Sequence, residues 1–182
     1  MRLIMLGAPG AGKGTQAQIL AEHLKISHVS TGDLLRAEIQ NSTSVGLQAM
    51  EYIRAGELVP DSIMIQVLEE RLRKSDCAKG FILDGFPRTL NQARYLGTLL
   101  KRLKSEIDSV VSIKVGQGLI LDRLAKRQRT DDDRKTVKHR LDVYHRETAP
   151  LIEFYRGEGL LRCIDGAAPP EVVTARILGS II

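Results

Sequence analysis

The feature that most constrains this chain is a glycine-rich segment near its start, G-A-P-G-A-G-K-G-T at residues 7–15. A short apolar run, Arg2–Leu6, precedes it, and the following stretch, Lys13–Leu24, has the apolar spacing of a helix. A strand, a glycine loop and a helix in this order are typical of a phosphate-binding loop, where backbone N–H groups and the helix N-terminus attract anionic oxygens. An ordinary glycine-rich turn would not require the lysine. The sequence therefore predicts phosphate binding, with Lys13 on the terminal phosphates.

The loop departs from the general pattern at one position. That pattern places a serine or threonine directly after the lysine as a metal ligand, whereas here Gly14 intervenes and the hydroxyl of Thr15 comes one place later. A magnesium ion is therefore expected to be held by phosphate oxygens and water, as this ion often is.

The remainder of the chain alternates short apolar runs with helical patterns, which predicts an α/β fold with a parallel sheet covered on both faces. The expected strands are 2–6, 28–30, 81–83, 110–115 and 160–164. The expected helices are 13–24, 34–40, 45–55, one whose apolar stripe runs from 63 to 72, 90–103, a stretch ending near 127, 134–155 and 171–178. Asp61 or Ser62 is expected to cap the fourth helix, and Pro150 to kink the long one. No linker or repeat interrupts residues 1–182, so a single domain is expected.

Composition narrows the class of protein. The 182 residues are 43% apolar and contain no tryptophan, so the core must be mainly aliphatic. No apolar run is long enough for a membrane span, and a cytoplasmic protein without a membrane partner is expected. The formal net charge of +5 indicates an anionic ligand. Cys77 and Cys163 are isolated, which excludes a zinc site with paired cysteines and is typical of inert thiols in a reducing compartment.

With its loop of the form G-x-P-G-x-G-K-G-T, the chain resembles the adenylate kinases within the nucleoside monophosphate kinase family. The resemblance continues through S-T-G-D-L-L-R at 30–36, D-G-F-P-R at 84–88 and the arginine-rich region 123–140. It implies a P-loop three-layer fold with a five-stranded parallel sheet in the order 2-3-1-4-5, a monophosphate-binding insertion near 30–59 and a vestigial lid near 126–132. It also implies a monomer that converts MgATP and AMP into two ADP, with Mg²⁺ as cofactor and no zinc.

The same resemblance implies an ATP site and an AMP site. The residues expected to bind ATP are Gly10, Ala11, Gly12, Lys13, Gly14, Thr15, Arg123, Arg127 and Ala168. Those expected to bind AMP are Thr31, Arg36, Glu57, Leu58, Val59, Gly85, Phe86, Pro87, Arg88, Gln92, Arg129 and Arg140. Catalysis is expected to depend on Lys13, Arg88, Arg123, Arg127, Arg129 and Arg140, because phosphoryl transfer is accelerated mainly by positioning and by charge stabilisation.

Individual roles follow from the resemblance as well. Arg123 is expected to stack on the ATP adenine and Gln92 to hydrogen-bond the AMP adenine, while Asp84 orders water around Mg²⁺. Thr31 is expected to contact AMP, although its position would equally suit a helix cap. Without a phosphate loop upstream, the arginine cluster at 123–140 would be interpreted as a solvated basic face.

The lid is the largest departure from long members of the family. Only Gln128 separates Arg127 from Arg129, so no extended flap fits there, and we expect Arg127, Arg129 and Arg140 to form a roof over the phosphates. Asp131 and Asp132 would hold these arginines when the site is empty. The alternative is that residues 131–133 only cap the next helix.

Two other functions remain open at this stage. A kinase for UMP or CMP is the nearest, and Thr31 and Gln92 favour AMP over it. A nucleotide-dependent RNA-binding protein without kinase activity belongs to another class, but the basic run 101–104 has no stacking aromatics beside it, so no nucleic-acid partner is expected. The four histidines have no metal-binding spacing and are expected to be structural or exposed.

Overall fold

The computed structural model describes residues 1–127 and 134–181, without the side chains of Arg127 and Arg134. Its centre is a five-stranded parallel sheet in the order β2-β3-β1-β4-β5, which confirms the expected order and fold class. The strands are β1 (Arg2–Leu6), β2 (Ser27–Ser30), β3 (Phe81–Asp84), β4 (Ser109–Lys114) and β5 (Leu161–Asp165).

Helices connect these strands and cover the sheet. They are α1 (Lys13–Leu24), α2 (Thr31–Gln40), α3 (Ser44–Ala55), α4 (Asp61–Leu72), α5 (Leu90–Arg102), α6 (Gln117–Arg127), α7 (Arg134–Val143), α8 (Pro150–Gly157) and α9 (Pro170–Ile181). A 3-10 turn at Ser75–Cys77 precedes β3, and a π-helical segment, Tyr144–Thr148, joins α7 to α8. Within the described residues, no helix combines the length and the apolar character that crossing a membrane requires.

The central strands are mainly apolar, because helices bury both of their faces. Ile4 of β1 and Leu83 of β3 belong to a core shared with α2, α3, α4, α5 and α8, whereas Leu3 and Ile82 belong to a core shared with α1 and α9. Both cores are mainly aliphatic, as the composition requires. The register pairs Asp84, at the end of β3, with Met5 of β1 and Ser30 of β2, which brings the carboxyl ends of these strands together at one edge.

Two local expectations are wrong in detail. Neither Asp61 nor Ser62 caps α4: Pro60 occupies the cap position and Asp61 is the first helical residue, with its carboxylate directed to Thr89 and Gln92. The chain 134–155 is not one helix with a kink at Pro150. Pro150 has no N–H to donate, and the chain forms the π-helical segment before it, in which Ala149 N donates to Tyr144 O at 2.9 Å.

Candidate active site

A cavity of about 880 Å³ lies at the carboxyl edge of the sheet. Its walls come from the glycine loop, the start of α2, the α3–α4 connection, the segment between β3 and α5, and the inner faces of α6 and α7. A cavity of this size and position is typical of small-molecule sites in open α/β sheets. The cationic side chains that line it in the described part of the chain are Lys13, Arg36, Arg88, Arg123 and Arg140.

The glycine loop forms one wall, as the sequence predicts. Residues 9–16 all line the cavity, and α1 begins at Lys13 without a side-chain cap on its N-terminus. The N–H groups of the first helical turn have no partner within the helix, so the loop offers donors to an anion. Lys13 Nζ donates to the carbonyl of Ala8 at 3.0 Å, which places the ammonium group at the loop.

The structure explains why glycine follows the lysine. A Cβ added at Gly14 would lie 3.2 Å from Oδ2 of Asp84, closer than most real Cβ contacts. The serine or threonine that the general pattern places at this position would clash with the Asp84 carboxylate. Asp84 therefore occupies the region next to the loop where a loop hydroxyl would otherwise stand.

Asp84 stays ionised in spite of its burial. Burial alone would raise its pKa, but the nearby His28 ring and the charges of Lys13 and Arg88 outweigh burial and hold the pKa of Asp84 below its ordinary value. His28 Nε2 lies 3.8 Å from Asp84 Oδ2, too far for a direct hydrogen bond. The carboxylate is thus a fixed negative charge beside Lys13.

Thr31 and Gly85 meet at a second wall of the cavity. Ser30 caps α2 by accepting a hydrogen bond from Asp33 N at 3.3 Å, so the interpretation of Thr31 as the cap is wrong. The buried Thr31 hydroxyl instead donates to the carbonyl of Asp84 at 3.3 Å. A Cβ at Gly85, where φ is +86°, would come within 2.7 Å of Thr31 Oγ1, so glycine is required for this close approach.

The side chains expected to hold the AMP phosphate lie on this wall. Arg88 Nε donates to the carbonyl of Gly85 at 2.9 Å, and Thr148 donates to the carbonyl of Arg88 at 2.9 Å. Arg36 pairs with Asp33 at 2.5 Å on α2, and both side chains line the cavity. Both guanidinium groups are therefore held by neighbours at the cavity surface.

The α3–α4 connection forms a third side. Glu57, Leu58 and Val59 all line the cavity, as does Arg140 of α7. Glu57 accepts a hydrogen bond from His139 at 2.6 Å, which links this connection to α7. The sequence did not indicate this role for His139, because the two residues are 82 positions apart and nothing local signals the contact.

Arg123 and Ala168 flank the glycine loop. The Arg123 guanidinium donates to the carbonyl of Ala11 at 3.2 Å and to the carbonyl of Gly166 at 2.9 Å, so it bridges the loop and the segment after β5. Ala168 lines the cavity beside it. This placement leaves the guanidinium plane next to the loop, where a base could stack on it.

The remaining expected residues are placed differently. Pro87 lines the cavity, whereas the Phe86 side chain, 1% exposed, belongs to the core beneath it. The side chain of Arg127, together with Gln128, Arg129 and residues 131–133, lies outside the described residues, and so does most of the expected lid. Their roles stay predictions.

Comparison with known proteins agrees with this geometry. The family model for adenylate kinase matches residues 5–160. Proteins named adenylate kinase from Leptospira biflexa and Stenotrophomonas maltophilia are 49% and 47% identical to this chain, and each alignment covers at least 99% of both sequences. A third, from Caldicellulosiruptor bescii, is 45% identical over 100% of this chain and 99% of its own length. The chain belongs to the adenylate kinase family.

Proposed function

We propose that this chain transfers the terminal phosphoryl group of MgATP to AMP, reversibly, to give two ADP. One observation carries the proposal: five cationic side chains line a single cavity that has the phosphate loop on one wall and the segments with Thr31 and Arg88 on another. Two polyanionic nucleotides bound end to end would bring the donor and acceptor phosphates together between these walls. Proximity of this kind accounts for a large part of the acceleration in such reactions.

The loop side is suited to the triphosphate. The N–H groups at the start of α1 and the ammonium of Lys13 would surround the β- and γ-phosphates. Arg123 stands beside Gly12 and Ala11, where it can stack on the base or contact the phosphates. The donor nucleotide is therefore assigned to this wall.

The second wall, with Thr31 and Arg88, is suited to the monophosphate. Arg36 and Arg88 would hold its phosphate, since a guanidinium group forms paired hydrogen bonds to phosphate oxygens. Gln92, which is 2% exposed and lines the cavity, would hydrogen-bond the adenine edge, and residues 57–59 would enclose the base. The segment 30–59 is thus assigned to AMP.

Asp84 fits the requirements of magnesium. Mg²⁺ keeps several water ligands and takes one or two carboxylates together with substrate phosphates, and Asp84 is an ionised carboxylate beside the loop that can hold such water. When bound, the ion neutralises charge on the phosphate oxygens. Among the described residues, no cluster of three histidine, cysteine, aspartate or glutamate side chains offers a dedicated metal site.

Transfer needs no protein nucleophile. An oxygen of the AMP phosphate attacks the γ-phosphorus of ATP while the bond from that phosphorus to the β–γ bridging oxygen breaks, and the electron pair leaves on ADP. Lys13, Arg88, Arg123 and Arg140 would stabilise the charge on the transferring group. Arg127 and Arg129 are proposed to complete this arrangement.

An assay with ATP and AMP, CMP, UMP or GMP in turn tests the proposal. We expect AMP to be the preferred acceptor, because Gln92 presents both a donor and an acceptor to the base.

Gln92→Leu should remove about 1–3 kcal/mol of hydrogen bonding to the adenine. This loss should lower kcat/KM for AMP and reduce the ratio of kcat/KM for AMP to that for CMP. Gln66→Leu, an exposed glutamine on α4, is the matched control. An unchanged AMP:CMP ratio would contradict the role of Gln92, and preference for a pyrimidine would contradict AMP as substrate.

We also propose that the protein acts as a cytoplasmic monomer. Cys77 and Cys163 are free thiols, which suits a reducing compartment. Light scattering across a concentration series tests the oligomeric state.

A further inference from the structure

We propose that Asp61 is a specificity-determining positioning residue: it fixes the orientation of the Gln92 amide, so that the acceptor site selects a 6-aminopurine and rejects a 6-oxopurine. This inference rests on the proposed function, because it concerns the base of the monophosphate that Gln92 would contact. Asp61 itself lies behind Gln92 rather than in the cavity wall.

Two hydrogen bonds hold the Gln92 side chain. Its Nε2 donates to Asp61 Oδ1 at 2.7 Å, and its Oε1 accepts from the backbone N–H of Arg88 at 2.8 Å. Thr89 donates to Asp61 Oδ2 at 3.2 Å, which steadies the carboxylate. The amide is almost completely buried, with the side chain 2% exposed.

These partners determine which way the amide faces. A backbone N–H can only donate and an ionised carboxylate can only accept. A flipped amide would set Nε2 against the N–H of Arg88 and Oε1 against the carboxylate of Asp61, which replaces two attractive contacts by two repulsive ones. The oxygen and nitrogen of Gln92 are therefore distinguished by chemistry.

The fixed amide still has capacity for a ligand. A glutamine amide has two N–H donors and two acceptor lone pairs, and the protein uses one of each. Gln92 can thus offer one donor and one acceptor, in a fixed order, to a base edge. Adenine presents an acceptor at N1 and a donor at its 6-amino group, which complements a donor from Nε2 and an acceptor at Oε1.

Hypoxanthine and guanine present the opposite pattern. Their N1 carries a proton and their 6-oxygen accepts, so they would match only a flipped amide. Discrimination between the two base classes then depends on how strongly the protein resists that flip. Asp61→Asn weakens this resistance, because an asparagine can turn its own amide and offer a donor to a flipped Gln92.

The test compares AMP with IMP as acceptors, since the two differ only in the groups at N1 and C6. We expect Asp61→Asn to lower the AMP:IMP ratio of kcat/KM by about tenfold or more, equivalent to at least one lost discriminating contact. The control is Glu171→Gln, another acidic residue in the first turn of a helix, whose exposed side chain does not line the cavity. Its ratio should equal that of the parent.

A loss of helix stability alone would lower both values of kcat/KM together and leave the ratio unchanged. That result in Asp61→Asn would overturn the inference. A folded parent that makes no ADP from ATP and AMP would overturn the proposed function instead. If the parent is active and Gln92→Leu changes the AMP:IMP ratio while Asp61→Asn does not, only the inference fails.

A measurement on the unaltered protein gives an independent test. Purine riboside 5′-monophosphate keeps the N1 acceptor and has no group at C6, so it loses one contact. In IMP, the N1 proton faces the Gln92 donor and the 6-oxygen faces the Gln92 acceptor, so both contacts become repulsive. The expected order of kcat/KM is AMP, then purine riboside monophosphate, then IMP. Equal use of the last two, or better use of IMP, would show that the amide is not fixed as described.

Discussion

At the scale of single residues, Lys13 carries the first prediction. Its ammonium lies at the loop, where it would act on phosphate oxygens that gain charge during transfer. Lys13→Ala should lower kcat by about 10²-fold or more, the usual effect of removing a group that stabilises developing charge. Lys79→Ala, which removes an exposed lysine outside the cavity, should not. Near-normal turnover in folded Lys13→Ala protein would contradict the assignment of the loop.

Asp84 carries a prediction about pH. Because its pKa is depressed in the folded protein, the stability that it contributes is fully present above its unfolded pKa of about 4 and is lost as the pH falls through the folded value. The parent should therefore lose more unfolding free energy than Asp84→Asn between pH 6 and pH 3. Urea titrations at several pH values measure this difference, with Asp122→Asn, an exposed carboxylate on α6, as control. Parallel pH profiles for parent and Asp84→Asn would refute it.

At the scale of elements, periodicity was sufficient to find every strand of the sheet and most helices, because buried parallel strands are short apolar runs between helical patterns. The sequence could not indicate contacts between distant segments. Aspartate is a residue type that often caps helices, and the sequence therefore indicates a cap at Asp61. Only the packing of α4 against α5 brings its carboxylate to Gln92. His139 and Glu57 meet only when α7 packs against the α3–α4 connection.

The contact between His139 and Glu57 supports a prediction about these two elements. Both side chains are about two-fifths exposed, so the coupling energy should be small, about 0.2–1 kcal/mol. A double-mutant cycle with His139→Ala and Glu57→Gln should show this coupling in KM for AMP, with little change in kcat at saturation. Additive effects of the two substitutions would show that the connection does not depend on this pair.

At the scale of the whole molecule, the charge of the chain is opposite in sign to that of the nucleotides it would bind. The chain has a formal net charge of +5, and five cationic side chains line one cavity. Added salt screens the attraction between these cations and the nucleotide phosphates, because the Debye length is about 10 Å at 0.1 M ionic strength. We expect KM for ATP to rise with sodium chloride while kcat changes much less. The measurement is initial rates from 0.02 to 0.5 M salt; a fall in kcat at constant KM would contradict it.

The π-helical segment Tyr144–Thr148 determines how the residues before and after it are oriented around the helix axis, and these residues form part of the cavity wall. Arg140 precedes this segment and Thr148 ends it, and both line the cavity. In an unbroken α-helix, residues eight apart drift by about 80° around the axis. The wider π-helical turn advances less per residue and reduces that drift, so Arg140 and Thr148, whose hydroxyl donates to the Arg88 carbonyl, can both face the cavity. The proline that follows the π-helical segment, with its missing N–H, is thus linked to an alignment that places Arg140 and Thr148 in the wall of one cavity.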